Sequence, residues 1–204
     1  MALQQFILCF LFALSNGNVY SLEARNSQQK EGQKDFPIDK FMNTSKPLWV
    51  YNTTKSNSDI CRVDVNQHMN ATHTSFKRYS GSNSERGEND LVGKFSYYYE
   101  TENNHTYDKM DVFDGTTKIT EEVMEYLSND SKCAVVSVMS QSGILEVWWD
   151  VRVEDHLVRP SVNVTNYEKC FQKFEVILNV TRKKWTSPYR KDYQIVQSEF
   201  DVLH

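Results

Sequence analysis

From Leu48 to Val153 the chain keeps returning to one pattern: a short apolar or aromatic run, then a polar turn cluster. LWVYNTT begins at Leu48, and ICRVDV follows a Ser/Asn/Asp cluster. A third run covers Thr72 to Tyr79, and LVGKFSYYYE begins at Leu91. HTYDKMDVF follows Asn103-Asn104 and KITEEVMEYL follows Asp114-Gly115; both dipeptides are turn signals. Two more runs lie within KCAVVSVMSQSGILEVWWDVRV, Lys132 to Val153. Strand signals recurring at this spacing predict an all-β sandwich or barrel. KITEEVMEYL is ambiguous, because its glutamates suit a helix. It reads as a strand because strands flank it closely. SGSNSERGEND, from Ser80 to Asp90, reads as a polar loop.

The pattern changes outside this region. NYEKCFQKFEVIL places Tyr167, Cys170, Phe171, Phe174, Ile177 and Leu178 at helical spacing. This predicts one amphipathic helix that must pack its apolar stripe against another element. Pro37 to Asn43 reads as a short helical turn, with Pro37 at an early position. A last short strand is expected around Tyr193 to Phe200. The uncharged leader with its apolar run from Phe6 to Leu14 fits a secretory signal peptide over residues 1–21. Residues 22–36 read as a flexible polar arm and 37–204 as one domain.

Composition narrows the function. The net charge of -4 gives nucleic-acid binding no electrostatic support. After the leader no run reaches transmembrane length. The histidines, His68, His73, His105, His156 and His204, form no catalytic or metal-ligating motif and read as solvated side chains. The expectation is a binding protein, not an enzyme, with no cofactor. Sequons at Asn43, Asn52, Asn70, Asn104, Asn129, Asn163 and Asn179 support secretion. Three cysteines follow the leader: Cys61, Cys133 and Cys170. They allow one bridge and leave one thiol that is buried, reactive or paired between chains.

The last strand carries the functional question. Leu145, Val147, Trp149 and Val151 share one face; Ile144, Glu146, Trp148, Asp150 and Arg152 share the other. In a small closed barrel the first set forms an outer patch for the helix, and Glu146, Trp148 and Asp150 point inward. An immunoglobulin-type sandwich fits poorly, because no tryptophan occurs between Cys61 and Trp148.

The motifs KCAVVSV, LEVWWDV and NYEKCFQKFE resemble the carboxy-terminal half of tick salivary lipocalins, the group typified by histamine-binding proteins, with a japanin-like branch. The matching positions are Cys133, Glu146, Trp148, Cys170 and Phe174, and the aromatic strand WVY stands before Cys61. The resemblance implies an eight-stranded antiparallel lipocalin barrel with a short N-terminal helix and a C-terminal helix on its wall. It implies a Cys133–Cys170 bridge and an unpaired Cys61, since no cysteine follows Cys170 to complete the family's usual second bridge. It also implies a secreted, monomeric protein that sequesters a small host mediator, either a lipid or sterol or a biogenic amine such as histamine or serotonin. Glu146 and Trp148 then line the pocket, and Trp49 helps enclose the ligand. Tyr51, Phe95, Tyr97, Tyr99 and Asp150 are further pocket candidates by strand alternation. The alternative is a filled barrel that engages host immune proteins or cells through the Ser80–Asp90 loop or the amino-terminal arm.

Overall fold

The computed structural model describes residues 36–56, 61–81, 86–98, 106–141, 143, 145–154 and 167–188. The expected signal segment, nearly all of the polar arm and the expected strand near Tyr193 lie outside them. Eight antiparallel strands close into a barrel: β1 (Leu48–Thr53), β2 (Cys61–Met69), β3 (His73–Gly81), β4 (Arg86–Ser96), β5 (Lys109–Asp114), β6 (Thr117–Leu127), β7 (Cys133–Ser140) and β8 (Val147–Glu154). Each strand pairs with its neighbours in sequence, and β1 closes the ring on β8. KITEEVMEYL is therefore a strand: its glutamates sit in β6, between β5 and β7.

A helix stands on each side of the wall. Helix α1 (Ile38–Met42) buries Ile38, Phe41 and Met42 in the inner apolar cluster. The Ile38 N–H donates to the Tyr107 carbonyl at 2.9 Å, and Asn66 Nδ2 donates to the Met42 carbonyl at 3.0 Å. These bonds satisfy backbone groups that a helix of this length leaves unpaired. Helix α2 (Glu168–Thr181) lies outside, against β6, β7 and β8. It buries Cys170, Phe174 and Ile177, and Cys170 is bridged to Cys133 at the start of β7.

Strand alternation divides the apolar residues into two clusters. The inner one contains Leu48, Phe76, Leu91, Phe95, Met110, Val112, Met124, Val136, Val138 and Trp148. The outer one joins Trp49, Cys61, Val63, Val135, Val151 and Val153 to Tyr167, Phe174 and Ile177. Inside, Gly93 lets two strands' side chains meet. A Cβ there would lie 2.3 Å from Met110 Sδ and 3.2 Å from Thr74 Cγ2. Gly93→Ala is expected to lower the unfolding free energy by about 1–3 kcal/mol through overpacking. A urea melt measures this; an unchanged midpoint would mean that Met110 swings aside at no cost.

Two strand boundaries differ from expectation. Leu145 precedes β8 and is 69% exposed, so it takes no part in the patch beneath α2. Ser80–Asp90 is mostly not a loop. Ser80 and Gly81 end β3, and Arg86 to Asp90 begin β4, in a continuous ladder from Gly81↔Arg86 to Lys77↔Asp90. Gly87, Glu88, Asn89 and Asp90 are exposed, so this part of the strand carries the polar composition of a loop.

Candidate functional site

Trp148, Asp150 and Arg152 alternate along β8 and face inward. Their register partners on β7 are Val138, Val136 and Ala134, all in the inner cluster. The intervening Trp149, Val151 and Val153 pack outward beneath α2. Acids and bases therefore occur inside the barrel, where an unpaired charge is costly.

Pairing resolves that cost. Arg78 on β3 donates to both oxygens of Asp64, its register partner on β2, at 2.7 and 2.8 Å. It also reaches Glu122 on β6 at 3.1 Å. Arg152 donates to Glu122 at 2.6 Å and to Asp150 at 3.3 Å. Arg62 at the start of β2 pairs with Asp150, which also accepts the Thr53 hydroxyl at 2.7 Å. Three arginines and three carboxylates thus form one interior network. Burial alone pushes the Glu122 carboxyl up, but Arg152 and Arg78 together hold it well below the usual carboxylate range. For Asp150 burial likewise opposes ionisation, and Arg62 and Arg152 outweigh it. At Arg62 burial dominates and lowers the guanidinium's pKa despite Asp150; Arg78 and Arg152 push in the same direction.

The network leaves some donors unused. Among the described residues, Trp148 Nε1, Arg62 Nε and Arg152 Nε are buried without a hydrogen-bond partner. Trp148 is 3% exposed and Arg152 1%. The Lys55 ammonium, from the chain leaving β1, stands 4.9 Å above the Trp148 ring. Next to it, the Ser56 hydroxyl donates to Glu146 at 2.8 Å and ties the exit of β1 to the approach to β8.

The candidate pocket residues separate into three groups. Trp148 and Asp150 lie inside, and Glu146 is half-buried at the barrel end where β8 begins. Phe95 lies in the inner apolar cluster and stacks near Tyr107, which also stacks with Tyr97 at 5.0 Å between centroids. Tyr107 is the residue that anchors α1, so Phe95 and Tyr97 belong to the opposite end. Trp49 and Tyr51 require a correction: both belong to the outer cluster, and Tyr51 meets Phe171 of α2 edge-on at 5.6 Å. Leu48 and Val50 take the inward positions of β1, because the helix's apolar stripe needs the aromatic face. Tyr99 lies outside the described residues.

Cys133 and Cys170 form the bridge, and Cys61 is a buried thiol whose pKa burial pushes up to about 12. It is therefore protonated at neutral pH and unreactive. Asn43, Asn70, Asn129 and Asn179 are exposed, while Asn104 and Asn163 lie outside the described residues. Asn52 is corrected: it is 7% exposed on β1, beside Val151, where a glycan has no room. Alternation alone missed Arg62, Asp64, Arg78 and Glu122. A signal was present in Arg62-x-Asp64 and Asp150-x-Arg152, opposite charges two apart on one strand face.

A closed, up-and-down, eight-stranded barrel with a short helix at one end and a longer helix on its wall is a lipocalin-like fold. Insecticyanin from the tobacco hornworm Manduca sexta has a similar structure, with a TM-score of 0.52 and 8% sequence identity, covering 78% of this chain and 84% of that one. The siderocalin Ex-FABP, described as functioning through dual ligand specificities, matches with a TM-score of 0.47 and 7% identity, covering 69% of this chain and 83% of that one. No protein-family model matches the chain, and no curated protein matches it in sequence. Among the described residues, no helix is long and apolar enough to cross a membrane.

Proposed function

We propose that this chain is a secreted lipocalin of the tick salivary type, which holds a small hydrophobic or amphipathic molecule, a lipid mediator or a sterol, and so modulates host inflammatory and immune responses. The observation that carries this reading is the make-up of the barrel interior. Apolar side chains of Phe76, Leu91, Met110, Val136 and Val138 share the interior with the charged network and a buried, unpartnered indole N–H. That combination suits a ligand with an apolar body and one oxygen-bearing end.

The biogenic-amine reading is less well supported. An ammonium ligand needs a free carboxylate, and Asp150 is already neutralised by Arg62 and Arg152. Glu146 sits at the rim and is held by Ser56. The apolar leader, the exposed sequons and the Cys133–Cys170 bridge all accord with an extracellular setting. Native mass spectrometry of protein secreted from eukaryotic cells tests the reading. A retained lipid or sterol is expected; an empty barrel that titrates tightly with histamine or serotonin overturns it.

A further inference from the structure

We propose that the outer side of α2, together with the segment that follows it, docks on an anionic lipid surface. The inference concerns the outside of the barrel and does not depend on what the barrel holds. Three observations carry it.

The first is where exposed apolar surface lies. Among the described residues, the large apolar side chains left exposed are Leu145, Val176, Val180 and Trp185. Two are on α2, one follows it, and one stands just before β8. The Lys183 ammonium donates to the Val147 carbonyl, so the segment after α2 passes the start of β8. Trp185 is fixed in place there. Its neighbour Thr186 exchanges both backbone hydrogen bonds with Thr53 at 2.9 Å, and the Ser187 hydroxyl donates to the Tyr51 carbonyl at 2.8 Å. An indole held in this way and still 51% exposed offers apolar surface that the fold itself does not use.

The second is how α2 is striped. Cys170, Phe174 and Ile177 form the row that faces the barrel. Lys169, Lys173, Val176 and Val180, spaced three or four apart, form a second row outside that contact. Glu168, Gln172, Glu175 and Asn179 form a third, in which Gln172 donates to Glu168 at 2.9 Å. The acids and the sequon asparagine therefore stand on a different row from the lysines and valines.

The third is charge. Across β3 to β6, Lys77 pairs with Glu88 and Asp90, Lys118 with Asp111 and Glu121, and Lys109 with Glu121. Among the described residues, Lys169, Lys173, Arg182 and Lys184 have no such acidic partner. In a chain of net charge -4, unneutralised positive charge thus gathers along α2 and in the run Arg182-Lys183-Lys184 that leads into Trp185. Lysine and arginine heads meet lipid phosphates, while valines, lysine stems and an indole lie at the headgroup boundary. The stripe is the convex face of a helix, so it fits a fluid surface that conforms to it.

The test is co-sedimentation of the full secreted chain with vesicles of phosphatidylcholine alone and of phosphatidylcholine doped with phosphatidylserine. Lipid taken up into the barrel does not carry the protein down with the vesicle, so this readout is separate from ligand binding. Binding is expected to be roughly tenfold or more tighter to the doped vesicles, and to be lost at high salt. Lys169→Glu/Lys184→Glu changes two exposed side chains, and is expected to abolish that preference with an unchanged melting temperature. Trp185→Ser is expected to weaken binding several-fold. In wild type, doped vesicles should shift the Trp185 emission to the blue. Asn179→Gln is expected to bind as wild type does, because its row faces away from the docking stripe. Equal binding to both vesicles, binding to neither, or undiminished binding by Lys169→Glu/Lys184→Glu overturns the inference. So does binding by Asn179→Gln alone, or capture of an acidic protein by a chain that ignores vesicles.

Discussion

Glu122→Ala is expected to lower the unfolding free energy by about 3–5 kcal/mol, the largest effect of any single substitution in the interior network. Glu122 is fully buried and accepts from Arg78 at 3.1 Å and Arg152 at 2.6 Å. Removing it leaves three guanidinium groups, those of Arg62, Arg78 and Arg152, against Asp64 and Asp150 alone. The penalty comes mostly from the charges left behind, so it exceeds what the intact pairs contribute to stability. Denaturant melts of wild type and variant measure it. A loss below about 1 kcal/mol would mean that water enters the barrel and solvates the arginines.

The same carboxylates set the acid response. Glu122 and Asp150 have folded-state pKa values below those of the unfolded chain. Each therefore contributes stability that is fully present above the unfolded value, about 4 for such carboxyls, and is lost as pH falls through the folded one. Wild type is expected to stay near its plateau above about pH 5 and to weaken steadily below pH 4. Glu122→Ala should show a shallower decline, since one of the depressed carboxyls is gone.

Breaking the bridge is the second large effect. Cys133 and Cys170 are 37 apart in sequence, and closing a loop of that size is worth about 3–4 kcal/mol in the chain-entropy picture. The paired variant Cys133→Ala/Cys170→Ala is expected to melt roughly 10 °C lower. Calorimetry gives the shift. Because the bridge fastens α2 to β7, backbone amides in Glu168–Thr181 should exchange faster while those in β3 and β4 stay protected. Uniform loosening throughout would show instead that α2 is part of the barrel's cooperative core.

Much of this architecture is legible in the residues. The strand runs between turn clusters, the helical spacing from Tyr167 to Leu178 and the two faces of β8 all follow from local periodicity. Period-two alternation does not care what lies opposite, so VWWDV alone is enough to separate Trp148 and Asp150 from Trp149 and Val151. The Cys133–Cys170 pairing follows from the family resemblance and not from local periodicity, and the structure contains it.

The face taken by β1 was decided only in three dimensions. Trp49 and Tyr51 were expected inside, but α2 presents an aromatic stripe that must be covered, and Tyr51 answers Phe171. A register shift between Val50 and Asn52 then reverses the alternation, so that Thr53 lies opposite Asp150 and bonds to it. A bulge inserts one residue and turns every later side chain over, and no local pattern in LWVYNTT announces it. The charges are similar: Arg62, Asp64, Arg78, Glu122, Asp150 and Arg152 come from four strands, β2, β3, β6 and β8. Periodicity places each on a face. Closing the sheet into a ring brings Glu122 to Arg78 and Arg62 to Asp150, where a charge that is costly alone becomes tolerable in company.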